Sequence, residues 1–94
     1  MFNGPVRPEN GVTVPVAIHR VEPERPAGVA ETGRVILEMV IDADGVPRDI
    51  VVLESLHPKL SEVSVEAAKG WRFRPGTCSG TAIPVIFNIQ MNFK

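Results

Sequence analysis

The chain has 94 residues, a net charge of −1, 44% hydrophobic residues and 22% charged residues. That is one small globular domain with a modest core, and it lacks the basic field that would hold nucleic acid or an anionic membrane. No apolar run approaches the ~18 residues of a membrane-spanning helix, and a single cysteine, Cys78, excludes an internal disulfide and a Cys-rich zinc site.

The first segment, residues 1–13, reads as an extended lead-in. It carries Gly4, Pro5, Pro8 and Gly11, a composition close to polyproline II. Met1–Pro5 shows neither a basic n-region nor an apolar h-region, so it is not a secretory signal. The sequence therefore reads either as a cytoplasmic chain or as a piece of a longer protein. The domain proper is assigned to residues 14–94. Val16–Val21 forms a short strand before Pro23, and 26–33 has room for a short helix weakened by Gly28.

Arg34–Asp42 reads RVILEMVID, a strand. Ala43-Asp44-Gly45 is a turn in which glycine is free to take positive φ, and Val46–Ser55 is the return strand of a hairpin. An amphipathic helix follows, with Ser61 as its expected N-cap and Leu60 and Val65 as a hydrophobic staple. Leu60, Val63, Ala67 and Trp71 share its apolar side. Trp71–Pro75 runs out extended, 76–80 is a loop, and Ile83–Phe93 is the last strand.

That last strand is the most informative part of the chain. Ile83, Val85, Phe87, Ile89, Met91 and Phe93 are apolar, while Asn88, Gln90 and Asn92 alternate with them. A period of two marks a strand with one buried face. The expected fold is α+β: a three-stranded antiparallel sheet ordered second–first–third, with one main helix on one face. The first strand is apolar on both faces, through Val35, Leu37, Met39 and Ile41 on one and Ile36 and Val40 on the other, so it belongs in the middle. The expected core is Val35, Leu37, Met39, Ile41, Leu60, Val63, Ala67, Trp71, Phe73 and Phe93. One helix cannot cover both faces, so another segment is expected over Ile36, Val40 and Ile86.

This order leaves two edges. The second strand bears Pro47, Arg48, Asp49 and Glu54, which discourage edge pairing. The third carries no charge, and its only proline, Pro84, stands at its start. Residues Ile86, Phe87, Asn88, Ile89, Gln90, Met91 and Asn92 are therefore the candidate binding edge, suited to capture of an extended peptide by strand addition. The alternative is a self-associating domain whose edge is filled by a second copy, as a homodimer, or by the lead-in.

Enzyme chemistry has no foothold. Asp42-Ala43-Asp44-Gly45 imitates the start of a calcium loop, but Val46 and Leu53 stand where further ligands are needed. His19 and His57 have no partner at metal-ligand spacing. No nucleophile triad, phosphate loop or dinucleotide fingerprint is present, and no cofactor or metal is expected. Lys69, Arg72 and Arg74 form a small basic cluster, read as a solvated face.

The residues from about 14 to 93 resemble the C-terminal domain of TonB, the energy transducer of Gram-negative envelopes. The resemblance runs through Val21-Glu22-Pro23-Glu24, Gly33-Arg34-Val35, Asp42-Ala43-Asp44-Gly45, Leu60-Ser61-Glu62, Ala67, Trp71-Arg72-Phe73-Arg74-Pro75, Gly80 and Asn92-Phe93. Two departures stand out. Arg25 occupies a position that is usually aromatic, and the segment 26–33 is about one turn short. The resemblance implies a periplasmic domain tethered to the inner membrane by an anchor outside this chain. It implies a last strand that pairs with an extended motif of outer-membrane receptors, in siderophore- or vitamin-type uptake. It also implies force delivered by a proton-driven ExbB–ExbD motor.

Overall fold

A computed structural model describes residues 4–9 and 11–94. Its main sheet has three antiparallel strands in the order β3-β2-β7. These are β2 (Gly33–Ile41), β3 (Pro47–Glu54) and β7 (Val85–Phe93). Strand β2 alternates almost without break: Val35, Leu37, Met39 and Ile41 are at most 1% exposed. Those side chains face α1 (Pro58–Lys69) and form the centre of the core with Leu60, Ala67, Trp71, Phe73, Ile89, Met91 and Phe93.

The hairpin turn between β2 and β3 is built on Asp42. Its Oδ1 accepts from the backbone N–H of Asp44 and of Val46, each at 2.9 Å, and its Oδ2 accepts from Arg48 Nε. With both oxygens committed, the calcium-loop look-alike is an Asx turn. Gly45 closes it at φ +81°, and a Cβ there would lie 1.9 Å from the carbonyl oxygen of Phe73. Only glycine lets this turn approach the backbone of the Trp71–Arg74 segment, whose Phe73 N–H donates to Gly45 O at 3.0 Å.

Three local expectations are corrected. First, α1 begins one turn earlier than Ser61. Pro58 holds the first helical position, where its missing N–H costs nothing, and His57 is the N-cap, its Nδ1 accepting from Lys59 N at 3.0 Å. Leu60 and Val65 therefore lie inside the helix rather than at the two ends of a staple. The helix is also rotated, so that Leu60, Ser64, Ala67 and Ala68 are its buried residues and Val63 is only half-buried at the flank. Second, 26–33 is not helical; it makes a turn at Ala27-Gly28 with Val29 N donating to Pro26 O. Arg25 satisfies its carbonyls instead, donating to Val29 O at 3.1 Å and to Glu31 O at 3.0 Å. The same guanidinium bonds Lys94 O and lies 6.0 Å from the Phe93 ring, a cation beside an aromatic face. Third, the loop after Pro75 contains a small hairpin, β5 (Thr77–Cys78) with β6 (Thr81–Ala82), turned by Ser79 and Gly80 at φ 52° and 81°.

A second ribbon pairs β1 (Val16–His19) with β4 (Arg72–Arg74). Trp71 joins it to the helix: its Nε1 donates to Val21 O at 2.9 Å, its ring stacks on Phe73 with centroids 6.0 Å apart, and Arg20 lies over its face. The far face of the sheet, with Ile36, Val40 and Ile86, is half-buried.

Two measurements test this account. Trp71→Ala should cost about 3–5 kcal/mol in a chemical melt, the usual range for a buried aromatic; a loss below about 1 kcal/mol would remove Trp71 from the core. The second concerns pH. Burial alone would raise the Asp42 carboxyl, but the bonds from Val46 N–H, Arg48 and Asp44 N–H outweigh it and hold the group below its ordinary 3.8. Its contribution is then complete above that value and lost as pH falls through the lower folded-state value. Asp42→Asn should weaken the fold near neutrality and flatten the acid limb of a stability–pH curve below pH 3.8.

Candidate functional site: the outer edge of the sheet

Strand β7 pairs with β2 without a bulge, from Gly33 opposite Phe93 to Ile41 opposite Val85. In such a ladder the N–H and C=O of one residue point to the same side, and the side alternates along the strand. One hydrogen bond fixes the phase for the whole strand. Ile86 N–H points away from β2, because it donates to Val6 O at 2.7 Å. The backbone groups of Asn88, Gln90 and Asn92 therefore also point outward, while those of Phe87, Ile89 and Met91 close the ladder to β2. The side chains of Asn88, Gln90 and Asn92 are exposed, and Ile89 and Met91 are buried.

Beside this row of groups is a cleft of about 360 Å³. The β1–β4 ribbon forms its opposite wall, through Val16, Ala17 and Arg20, with Trp71 and Phe73 toward the core. Phe87 lies at its β7 side, packed edge-on to Phe73 at 5.7 Å between centroids. Among the described residues, no backbone hydrogen bond from another segment reaches Asn88, Gln90 or Asn92.

The opposite edge is different. Arg48 and Glu54 on β3 are tied to Asp42 and to Arg34 (2.7 Å). The register of β3 against β2 slips twice, between Ile36 and Leu37 and between Glu38 and Val40, and Asp49 adopts φ 52°. Bulges break the flat run of groups that edge pairing needs. Charge and Pro47 were the signals legible in the sequence; the bulges were not.

The remaining candidates are accounted for locally. Arg72 Nη1 donates to Lys69 O at 2.9 Å and to Trp71 O at the helix end, and Lys69 pairs with Glu66 at 3.2 Å. Arg72 thus satisfies a carbonyl in the last turn of α1. Among the described residues, no three His, Cys, Asp or Glu side chains are placed to hold a metal ion, and no helix is long and apolar enough to cross a membrane.

The fold is an α+β domain with one helix packed on a β3-β2-β7 sheet whose outer strand β7 is unbulged. Residues 23–94 match the family described as Gram-negative bacterial TonB protein C-terminal, and the chain belongs to that family. Among solved structures it is similar to the solution NMR structure of the Pseudomonas aeruginosa TonB C-terminal domain. The TM-score is 0.67 at 23% identity, covering 99% of this chain and 95% of that one, a likeness of fold. Comparison with curated proteins finds no match. Membership makes this a periplasmic energy-transducing and interaction domain for TonB-dependent outer-membrane receptors, and not an enzyme.

Amide exchange reads the phase directly. Phe87, Ile89 and Met91 should exchange slowly, Asn88, Gln90 and Asn92 fast, and Ile86 at an intermediate rate. Slow exchange at Gln90 with fast exchange at Ile89 would reverse the assignment.

Proposed function

We propose that this domain captures an extended segment of an outer-membrane receptor by adding it as a strand along Ile86–Asn92. The observation that carries this reading is the row of outward backbone groups at Asn88, Gln90 and Asn92, beside a cleft lined by Val16, Ala17 and Phe87. Main-chain bonds supply the affinity, with modest demands on sequence. Each net hydrogen bond contributes about 0.5–1.5 kcal/mol. Alternate side chains of the captured strand fall on two sides: one set meets the cleft wall at Val16, Ala17 and Phe87, the other meets the exposed amides. Small apolar residues on the cleft side and polar ones on the other are the pattern that fits. In this reading the domain passes to the receptor force from a proton-driven motor of the ExbB–ExbD type, through an anchor outside this chain, for uptake of a siderophore- or vitamin-type nutrient.

The test is titration with a synthetic peptide from the periplasm-facing N-terminal segment of a TonB-dependent receptor, followed by amide shifts. Changes should centre on 86–92 and on Val16 and Ala17. Gln90→Pro removes an outward donor without touching the β2 ladder, so it should weaken binding about tenfold, one to two lost bonds' worth, and leave the melt nearly unchanged. Met91→Pro, by contrast, breaks the ladder and should destabilise the fold. Shifts centred on β3 or α1, with 86–92 unmoved, would sink the reading, and concentration-dependent line broadening there without peptide would favour pairing between copies.

A further inference from the structure

The lead-in occupies one end of this same edge. Val6 pairs in parallel with Val85: Val6 N donates to Pro84 O at 3.2 Å, and Ile86 N donates to Val6 O at 2.7 Å. Arg7 Nη1 lies 3.5 Å from Glu38 Oε2. Glu38 is the β2 residue opposite Asn88, so this ion pair spans β7 on its far face. The lead-in is then anchored a short way on. Thr13 N donates to Thr77 O at 2.8 Å, and Thr77 N donates to Thr13 Oγ1 at 2.8 Å.

The sequence limits this contact to a single bridging residue. In a parallel ladder every second residue of one strand bonds its neighbour on both sides. After Val6, the next residue in phase is Pro8, which has no N–H to give to Ile86 O. The ladder stops there, and Asn88, Gln90 and Asn92 stay open. The Arg7–Glu38 pair adds little, because Arg7 is well exposed. The contact is weak, yet its anchor at Thr13 keeps it near. A short tether gives an effective concentration on the order of millimolar.

We propose that residues 5–8 are an intramolecular competitor for the receptor strand, covering the Val85–Ile86 end of the edge until a peptide long enough to reach Ile86 displaces them. This rests on the reading of β7 as the capture edge. A ligand binding only the uncovered state has its affinity reduced by the uncovered fraction. A short peptide that pairs only with 88–92 escapes this penalty; a longer one does not.

The experiment uses the full chain and the double variant Val6→Pro/Arg7→Glu, both positions being partly or fully exposed. Two readouts are taken: exchange of the Ile86 amide without peptide, and titration with acetylated, amidated peptides of alternating threonine and valine, one of five residues and one of nine. In the variant the Ile86 amide should exchange as fast as that of Asn88. The nine-residue peptide should bind about threefold to tenfold more tightly than to the parent, and the five-residue peptide equally to both. Unchanged protection at Ile86, or equal affinity of the long peptide for both chains, would overturn the competition while leaving edge capture standing. Failure of either peptide to bind either chain would overturn edge capture and the competition together.

Discussion

The unbroken pairing of β2 with β7 is the constraint on which the rest of this domain depends. It runs from Gly33–Phe93 to Ile41–Val85 with no residue out of step. That regularity sends Val35, Leu37, Met39, Ile41, Ile89, Met91 and Phe93 to one side, where α1 and Trp71 complete the core. A slip of one residue would turn that entire set outward. The same regularity fixes the direction of every backbone group on β7. Core and candidate site are therefore one phase of one ladder, and neither can change without the other.

The elements packed around this ladder position the β1–β4 ribbon beside its flank. Trp71 is tied to Val21 O, and Gly45 admits the backbone of Phe73, so the β1–β4 ribbon is pinned from both sides. A ribbon held there stands across from β7 without pairing to it. The cleft between them is a product of those two tight contacts. It is not lined by charge except at Arg20, whose guanidinium lies over Trp71.

Much of this was legible in the sequence because it rests on period two and local turn chemistry. The alternation of Val35–Ile41 and of Ile83–Phe93 placed both strands and the sheet order. What escaped falls into two kinds. Local signals were outranked by unusual partners: His57 with Pro58 began the helix a turn before Ser61, and Arg25 supplied donors to the carbonyls of Val29 and Glu31 in a segment that is not helical. Long-range pairings left no local mark at all. Nothing in Arg72–Arg74 announces Val16–His19, and no pattern in Ile83–Phe93 tells which residues face outward. That phase came from a single bond between positions far apart, Ile86 to Val6.

A domain with two free edges must avoid indiscriminate strand pairing, which needs both a regular backbone and apolar flanks. Each edge here lacks one of the two. On β3, Val51, Val52 and Leu53 are 40–54% exposed, yet two register slips and the positive φ of Asp49 break the backbone row. On β7 the row is intact, yet the exposed side chains are Asn88, Gln90 and Asn92, which water solvates well. The stretch of β7 where outward hydrogen-bonding groups lie on a half-buried apolar residue is its beginning, at Ile86, and that is where Val6 sits. Placement of the lead-in thus follows from the same physics that leaves the rest of the edge free: cover is supplied where apolar character and open hydrogen-bonding groups coincide, and Pro8 ends it where the polar residues begin.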